Sequence, residues 1–124
     1  MLNKYEKIIQ KNIKASKGSF IYTFHNDDIF NEEYFFELVD SITKKDIINS
    51  KEEHLQLINI FLYVLKTFVY HFDKSDSSEI LNFNVIQDKL ACYVELSEYC
   101  ILCISTSSKI SLDHVKNIIN EYIN

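Results

Sequence analysis

The chain has 124 residues and a mass of 14.7 kDa, enough for one domain spanning 1–124 and too short for a second core of ordinary size. It is 47% apolar and 25% charged, with one glycine, no proline, no tryptophan, thirteen basic residues that are all lysine, and a net charge of −5. Gly18 alone cannot build a phosphate-cradling loop or a Gly-x-Ser-x-Gly elbow, and without arginine there is no planar fork for bidentate phosphate or guanine recognition, so nucleotide enzymes and sequence-specific nucleic-acid readers are disfavoured.

Three cysteines, an odd number, make no disulfide framework and suit a reducing compartment. The first residues, Met1 to Lys7, meet polarity too often for a signal peptide, and a cytoplasmic location is the expectation. The most apolar window, Leu55 to Phe72, holds 13 apolar residues in 18 but also Gln56, Asn59, Lys66 and His71, which suits a buried helix better than a membrane span.

In chain order, residues 2–16 fit an amphipathic helix with Leu2, Tyr5, Ile9 and Ile13 on one side and Lys4, Lys7, Lys11 and Lys14 opposite, closed by Gly18. The β-branched and aromatic run Ser19 to Phe24 reads as a strand, followed by a polar turn, His25 to Asp28. Asn31 caps a second helix, with Glu32 and Glu33 in its first turn, an apolar side of Tyr34, Phe35, Leu38, Val39 and Ile42, and a close over Thr43 to Ser50. A central helix spans about Lys51 to Phe72 with apolar residues nearly all round, and Asp73 to Glu79 is a polar loop. Period-2 alternation over Leu81 to Ile86, Leu90 to Leu96 and Tyr99 to Thr106 predicts a three-strand meander, and Ser111 caps a last helix with Leu112, Val115, Ile118, Ile119 and Tyr122 on one face. The expectation is an α+β domain, helices packed on a small antiparallel sheet in the order α-β-α-α-β-β-β-α.

The chemistry-bearing residues are sparse. Cys100 and Cys103 form a C-x-x-C, but on a strand they point to opposite faces, and with Cys92 they read as buried thiols rather than metal ligands or nucleophiles. His54 and His71, 17 residues apart on one helix, lie about 25 Å from each other and cannot share a site. His25 with Asp27 and Asp28 is the one histidine–carboxylate cluster in a predicted loop, yet Asn and Asp are also the turn residues of a chain almost without glycine. No metal ligand set or cofactor is expected. The lysine stripe could track a phosphate backbone, although lysine is the default solvent-facing residue of a helix.

Charge is segregated along the chain. Residues 18–43 carry Asp27, Asp28, Glu32, Glu33, Glu37 and Asp40 with no basic residue, hence −6, whereas residues 1–17 carry five lysines against Glu6, hence +4. Glu33, Glu37 and Asp40 fall within about 60° on the helical wheel, a mutual repulsion that helix propensity does not explain. Phe36 projects between them and Glu32, off the apolar stripe. An aromatic ringed by carboxylates has the composition of a binding hot spot with a steering rim; the alternative is that Phe36 packs under a neighbour and the acids only solubilise.

The stretch His25-Asn26-Asp27-Asp28-Ile29-Phe30-Asn31 followed by Phe35, Leu38, Ser41 and Ile42 resembles the opening of small cytoplasmic immunity proteins of bacterial contact-dependent growth inhibition and other polymorphic toxin systems. The resemblance implies a non-enzymatic protein that neutralises a cognate toxin, often a nuclease, by occluding its active site. The expected binding residues are Asp27, Asp28, Glu32, Glu33, Phe36, Glu37 and Asp40, and the expected partner is a basic toxin domain, with neither nucleic acid nor membrane bound directly. The alternatives are a small metal-dependent enzyme or regulator using His25, Asp27 and Asp28, or an oligomeric structural module.

Overall fold

Asn3 starts the first helix by accepting the Glu6 N–H on its Oδ1 at 2.9 Å, and in the computed structural model, which describes residues 2–45, 50–73 and 79–123, α1 runs Lys4–Ile13. The same device recurs down the chain. Ser19 caps α2 (Phe20–Asp27), Asn31 caps α3 (Glu32–Thr43), Ser50 caps α4 (Lys51–Phe72), and Ser111 accepts the His114 N–H at the start of α7 (Leu112–Ile123). Between α4 and α7 lie a single turn, α5 (Phe83–Ile86), a 3-10 turn (Gln87–Lys89) and α6 (Leu90–Ser105). Of the expected polar stretches Thr43–Ser50 and Asp73–Glu79, residues 46–49 and 74–78 lie outside the described residues.

The domain is all-helical, and the expected α+β architecture is wrong: the described residues contain no strand. The run Ser19 to Phe24 is α2, because Ser19 Oγ accepts the Tyr22 N–H at 3.2 Å and Phe20 and Phe24, one turn apart, both enter the core. Strand propensity expresses side-chain surroundings, and here those surroundings are helical. The meander from Leu81 to Thr106 is α5, the 3-10 turn and α6. Along α6 the buried residues Cys92, Tyr93, Leu96, Ser97, Cys100, Cys103 and Ile104 recur at helical spacing. The apparent alternation arises because nearly every position there is apolar, so a period of 2 can be drawn through a period of 3.6. Tight hairpins also need residues with positive φ, and no glycine or proline stands anywhere from Leu81 to Thr106.

Scarcity of glycine leaves a mark on the helix ends. Ala15, Asp28 and Ser107 each adopt a left-handed φ of 49–57° just after a helix, where glycine is usual. The backbone N–H groups of Ser16, Ile29 and Ser108 then reach back to the carbonyls of Lys11, Thr23 and Cys103. Gly18, the expected closure of the first helix, sits three residues beyond Ala15 with φ 90°, leading into α2.

Helix α4 packs most extensively on α6, α1 on α3, and α7 on α6. An aromatic cluster links them: Phe30 stands 5.1 Å from Phe20, 5.1 Å from Phe35, 5.7 Å from Phe68 and 4.6 Å from Tyr93, ring centre to ring centre. Polar clamps fix the connections. Asn12, buried on α1, donates to Ile8 O and accepts the Ile21 N–H at 3.1 Å, which satisfies a free donor at the start of α2. Asn82 pairs with both backbone groups of Phe30, accepting at 2.9 Å and donating at 2.8 Å, beside a Leu81 N–H to Asp28 O bond of 2.8 Å. His71 Nδ1 accepts the Ile80 N–H at 3.1 Å while its ring stacks on Phe83 at 4.1 Å. Tyr99 Oη accepts the Ser111 N–H, pinning the start of α7 to α6.

Candidate functional site

Because α7 lies along α6, it stands off from α3 and leaves a groove of about 470 Å³. Phe36 and Val39 line the α3 side, Leu112, Val115, Ile119 and Ile123 the α7 side, and Asp40, Lys89 and Lys116 stand at the edges. Phe36 is half-buried, its ring 5.9 Å from Phe35 and 5.6 Å from Tyr93. It is therefore neither a free aromatic nor a core residue: one face is held by the aromatic cluster and the other opens on the groove. Glu33 and Glu37 are exposed on the adjoining surface of α3, and neither carries an ion pair among the described residues. Asp40 approaches Lys44 at 4.0 Å, a long contact one turn away on a solvated face.

Glu32 is placed otherwise. Its Oε1 accepts from Lys89 Nζ at 2.9 Å and from the hydroxyl of fully buried Tyr93, joining the start of α3 to α6. Burial, then the hydrogen bond to Glu32 and its negative charge, raise the Tyr93 phenol far above its ordinary range, so it remains a donor at any ordinary pH. Glu32 thus serves as a structural acceptor, and the carboxylates of α3 left without a tie to α6 are Glu33, Glu37 and Asp40.

Asp27 and Asp28 are exposed at the end of α2, and Asp28 lines a different depression of about 230 Å³ with Tyr63, Lys66, Tyr70 and Glu79. The structure does not bring them onto the α3–α7 groove. The expected turn His25–Asp28 is the last turn of α2 and its left-handed cap, with the His25 ring 5.5 Å from Tyr63. Among the described residues no group of three histidine, cysteine or carboxylate side chains could hold a metal ion.

The expected placement of Cys100 and Cys103 on opposite faces of a strand is wrong. On α6 they lie one turn apart on the same side, not on opposite faces, and both are buried and free, as is Cys92. Burial pushes Cys100 strongly upward and Cys92 up to about 11, against a weak lowering of Cys92 by Lys89, so both are protonated and poor nucleophiles near neutrality. The four lysines Lys4, Lys7, Lys11 and Lys14 are exposed on α1.

The α7 wall of the groove is the part that reading α3 alone misses. Its signal was present in the width of the α7 apolar arc, since Val115 and Ile118 are buried while Ile119, Tyr122 and Ile123 are not. Fold and site together define a small all-helical domain with an apolar groove edged by Asp40, Lys89 and Lys116. Comparison with family models, curated proteins and solved structures finds no match to this chain.

Proposed function

We propose that the protein is a non-enzymatic binding module, an immunity-type inhibitor that neutralises a basic partner, such as a nuclease toxin domain, by covering its active site with the α3–α7 face. One observation carries this reading: an apolar groove of about 470 Å³, edged by Asp40, Lys89 and Lys116, opens beside α3, whose outer surface exposes Glu33 and Glu37. Apolar side chains of the partner enter the groove against Phe36 and Ile119. Its cations meet Glu33, Glu37 and Asp40, which stand in for the phosphates of a nucleic-acid substrate and steer encounter. Asp27 and Asp28 extend the negative potential from a separate face. Cytoplasmic action and absence of a cofactor belong to the same proposal.

The experiment is co-expression with the products of the adjacent reading frames, among which a toxin is the expected partner. The wild type restores growth and copurifies with that partner, and the combined charge reversal Glu33→Lys, Glu37→Lys, Asp40→Lys loses both while remaining folded. A triple variant that protects as well as the wild type would contradict the assignment of this face.

A further inference from the structure

Helix α4 spends only one side on the core. Leu57, Ile60, Phe61, Val64 and Phe68 are buried, whereas Leu55, Leu62, Val69 and Phe72 are 55%, 40%, 66% and 61% exposed. Leu55, Leu62 and Val69 are seven residues apart, and Ile58, Leu65 and Phe72 follow each by three, so the outer side carries three uninterrupted heptads with apolar residues at both seam positions. Ile58 and Leu65 are half-buried, and the Phe72 ring is braced 5.3 Å from Phe83. The buried side already fulfils the requirement of a core helix, and nothing in packing a monomer calls for a second, regular apolar seam on the outside.

We propose that this seam pairs with α4 of a second copy of the chain, antiparallel, in a symmetric dimer. The pattern is self-complementary: a two-fold axis between Leu62 and Leu65 sets Leu55 beside Phe72 of the second copy, Ile58 beside Val69, and Leu62 beside Leu65. The four most exposed seam residues leave about 400 Å² of apolar surface on each copy, at the scale that marks an interaction site. With Ile58, Leu65 and the stems of Lys51 and Lys66 added, two copies clear the ~1,000 Å² that a specific interface needs. Antiparallel pairing opposes the helix dipoles and sets Lys66 across from Asn59, whereas parallel pairing would align the dipoles and stack Lys51 of the seam beside its own copy. The remaining like-charged pair is Glu52 with Asp73 at the outer ends. Because each copy carries −5, salt strengthens this association, the opposite of its effect on acidic steering of a basic partner. The dimer surface is separate from the α3–α7 groove, so either proposal can fail without the other.

Sedimentation equilibrium of the full chain from micromolar to several hundred micromolar tests it. The wild type shifts from monomer to dimer with rising concentration. Leu62→Glu and Val69→Lys, both at exposed positions, each weaken dimerisation about 100-fold or more with an unchanged far-UV spectrum, because every dimer would bury two charges. Glu33→Lys leaves it intact. Mixed Leu55→Cys and Phe72→Cys copies cross-link to each other, and neither cross-links to itself; the native cysteines are buried. A 14.7 kDa monomer at every concentration overturns the proposal, as does a dimer that survives both substitutions. A monomer that floats with phospholipid vesicles, and no longer does so with Val69→Lys, overturns it in favour of a membrane surface.

Discussion

Asn82 shows how much one side chain contributes where glycine and proline are absent. It replaces a strand neighbour for Phe30, the residue at the centre of the aromatic cluster, by bonding both its N–H and its C=O. Asn82→Ala leaves those two backbone groups without partners at a part-buried site, and a loss of about 2–3 kcal/mol in urea unfolding is the expected outcome. At Ala15 and Ser107 the opposite change is expected. Both hold left-handed backbone that an L side chain disfavours, so Ala15→Gly and Ser107→Gly should each stabilise by about 0.5–1 kcal/mol, raising Tm by about 2–4 °C. An unchanged or lower Tm for both would contradict the helix ends described above.

The buried thiols give a pH dependence at the same scale. Cys92 ionises at about 11 in the folded chain against an ordinary 9.0, and Cys100 is displaced further in the same direction. A raised folded value means that the stabilising contribution is complete below pH 9 and is lost as pH rises from there toward 11. The urea midpoint should therefore be insensitive to thiol ionisation between pH 6 and pH 8 and fall above pH 9, more steeply than in Cys92→Ala. A thiol reagent at pH 8 should react with three groups in denaturant and only slowly with the native chain.

At the scale of the element, the helices with a cap and a single apolar arc were legible from sequence. Asn31 and Ser111 were identified as caps of α3 and α7, and the span Lys51 to Phe72 agrees with α4. Elements dense in apolar residues were not, because in α6 both periods fit and in α2 the aromatic β-formers Phe20, Tyr22 and Phe24 mask a serine cap and an i, i+4 core pair. The deciding signal was compositional: with one glycine and no proline, two successive hairpin connections are far harder to build than one continuous helix. The candidate site was legible in half. Glu33, Phe36, Glu37 and Asp40 share a face because local spacing places them there, whereas the α7 wall and the diversion of Glu32 to Tyr93 depend on contacts across 57 residues or more of chain. Backbone hydrogen exchange should rank α4 and α6, which share the largest packing seam, as the most protected elements.

For the whole molecule, the net charge of −5 is less informative than its distribution. The acidic α2–α3 segment and the lysine-bearing α1 sit in one small domain, and Glu33 and Glu37 are exposed on α3 without an ion pair among the described residues. The outer seam of α4 is a second surface with its own chemistry, apolar and self-matching. Salt separates the two, weakening a steered heterologous encounter and favouring a pairing of like-charged copies.

In the proposed function, the carboxylates of α3 guide a basic partner to the groove. Stopped-flow association with the purified partner across a range of salt tests it most directly. The association rate constant should fall at least ~10-fold from low to high salt for the wild type, and reversing Glu37 and Asp40 together should largely abolish the salt dependence. A rate constant that stays flat with salt, or one that the double reversal leaves unchanged, would contradict it.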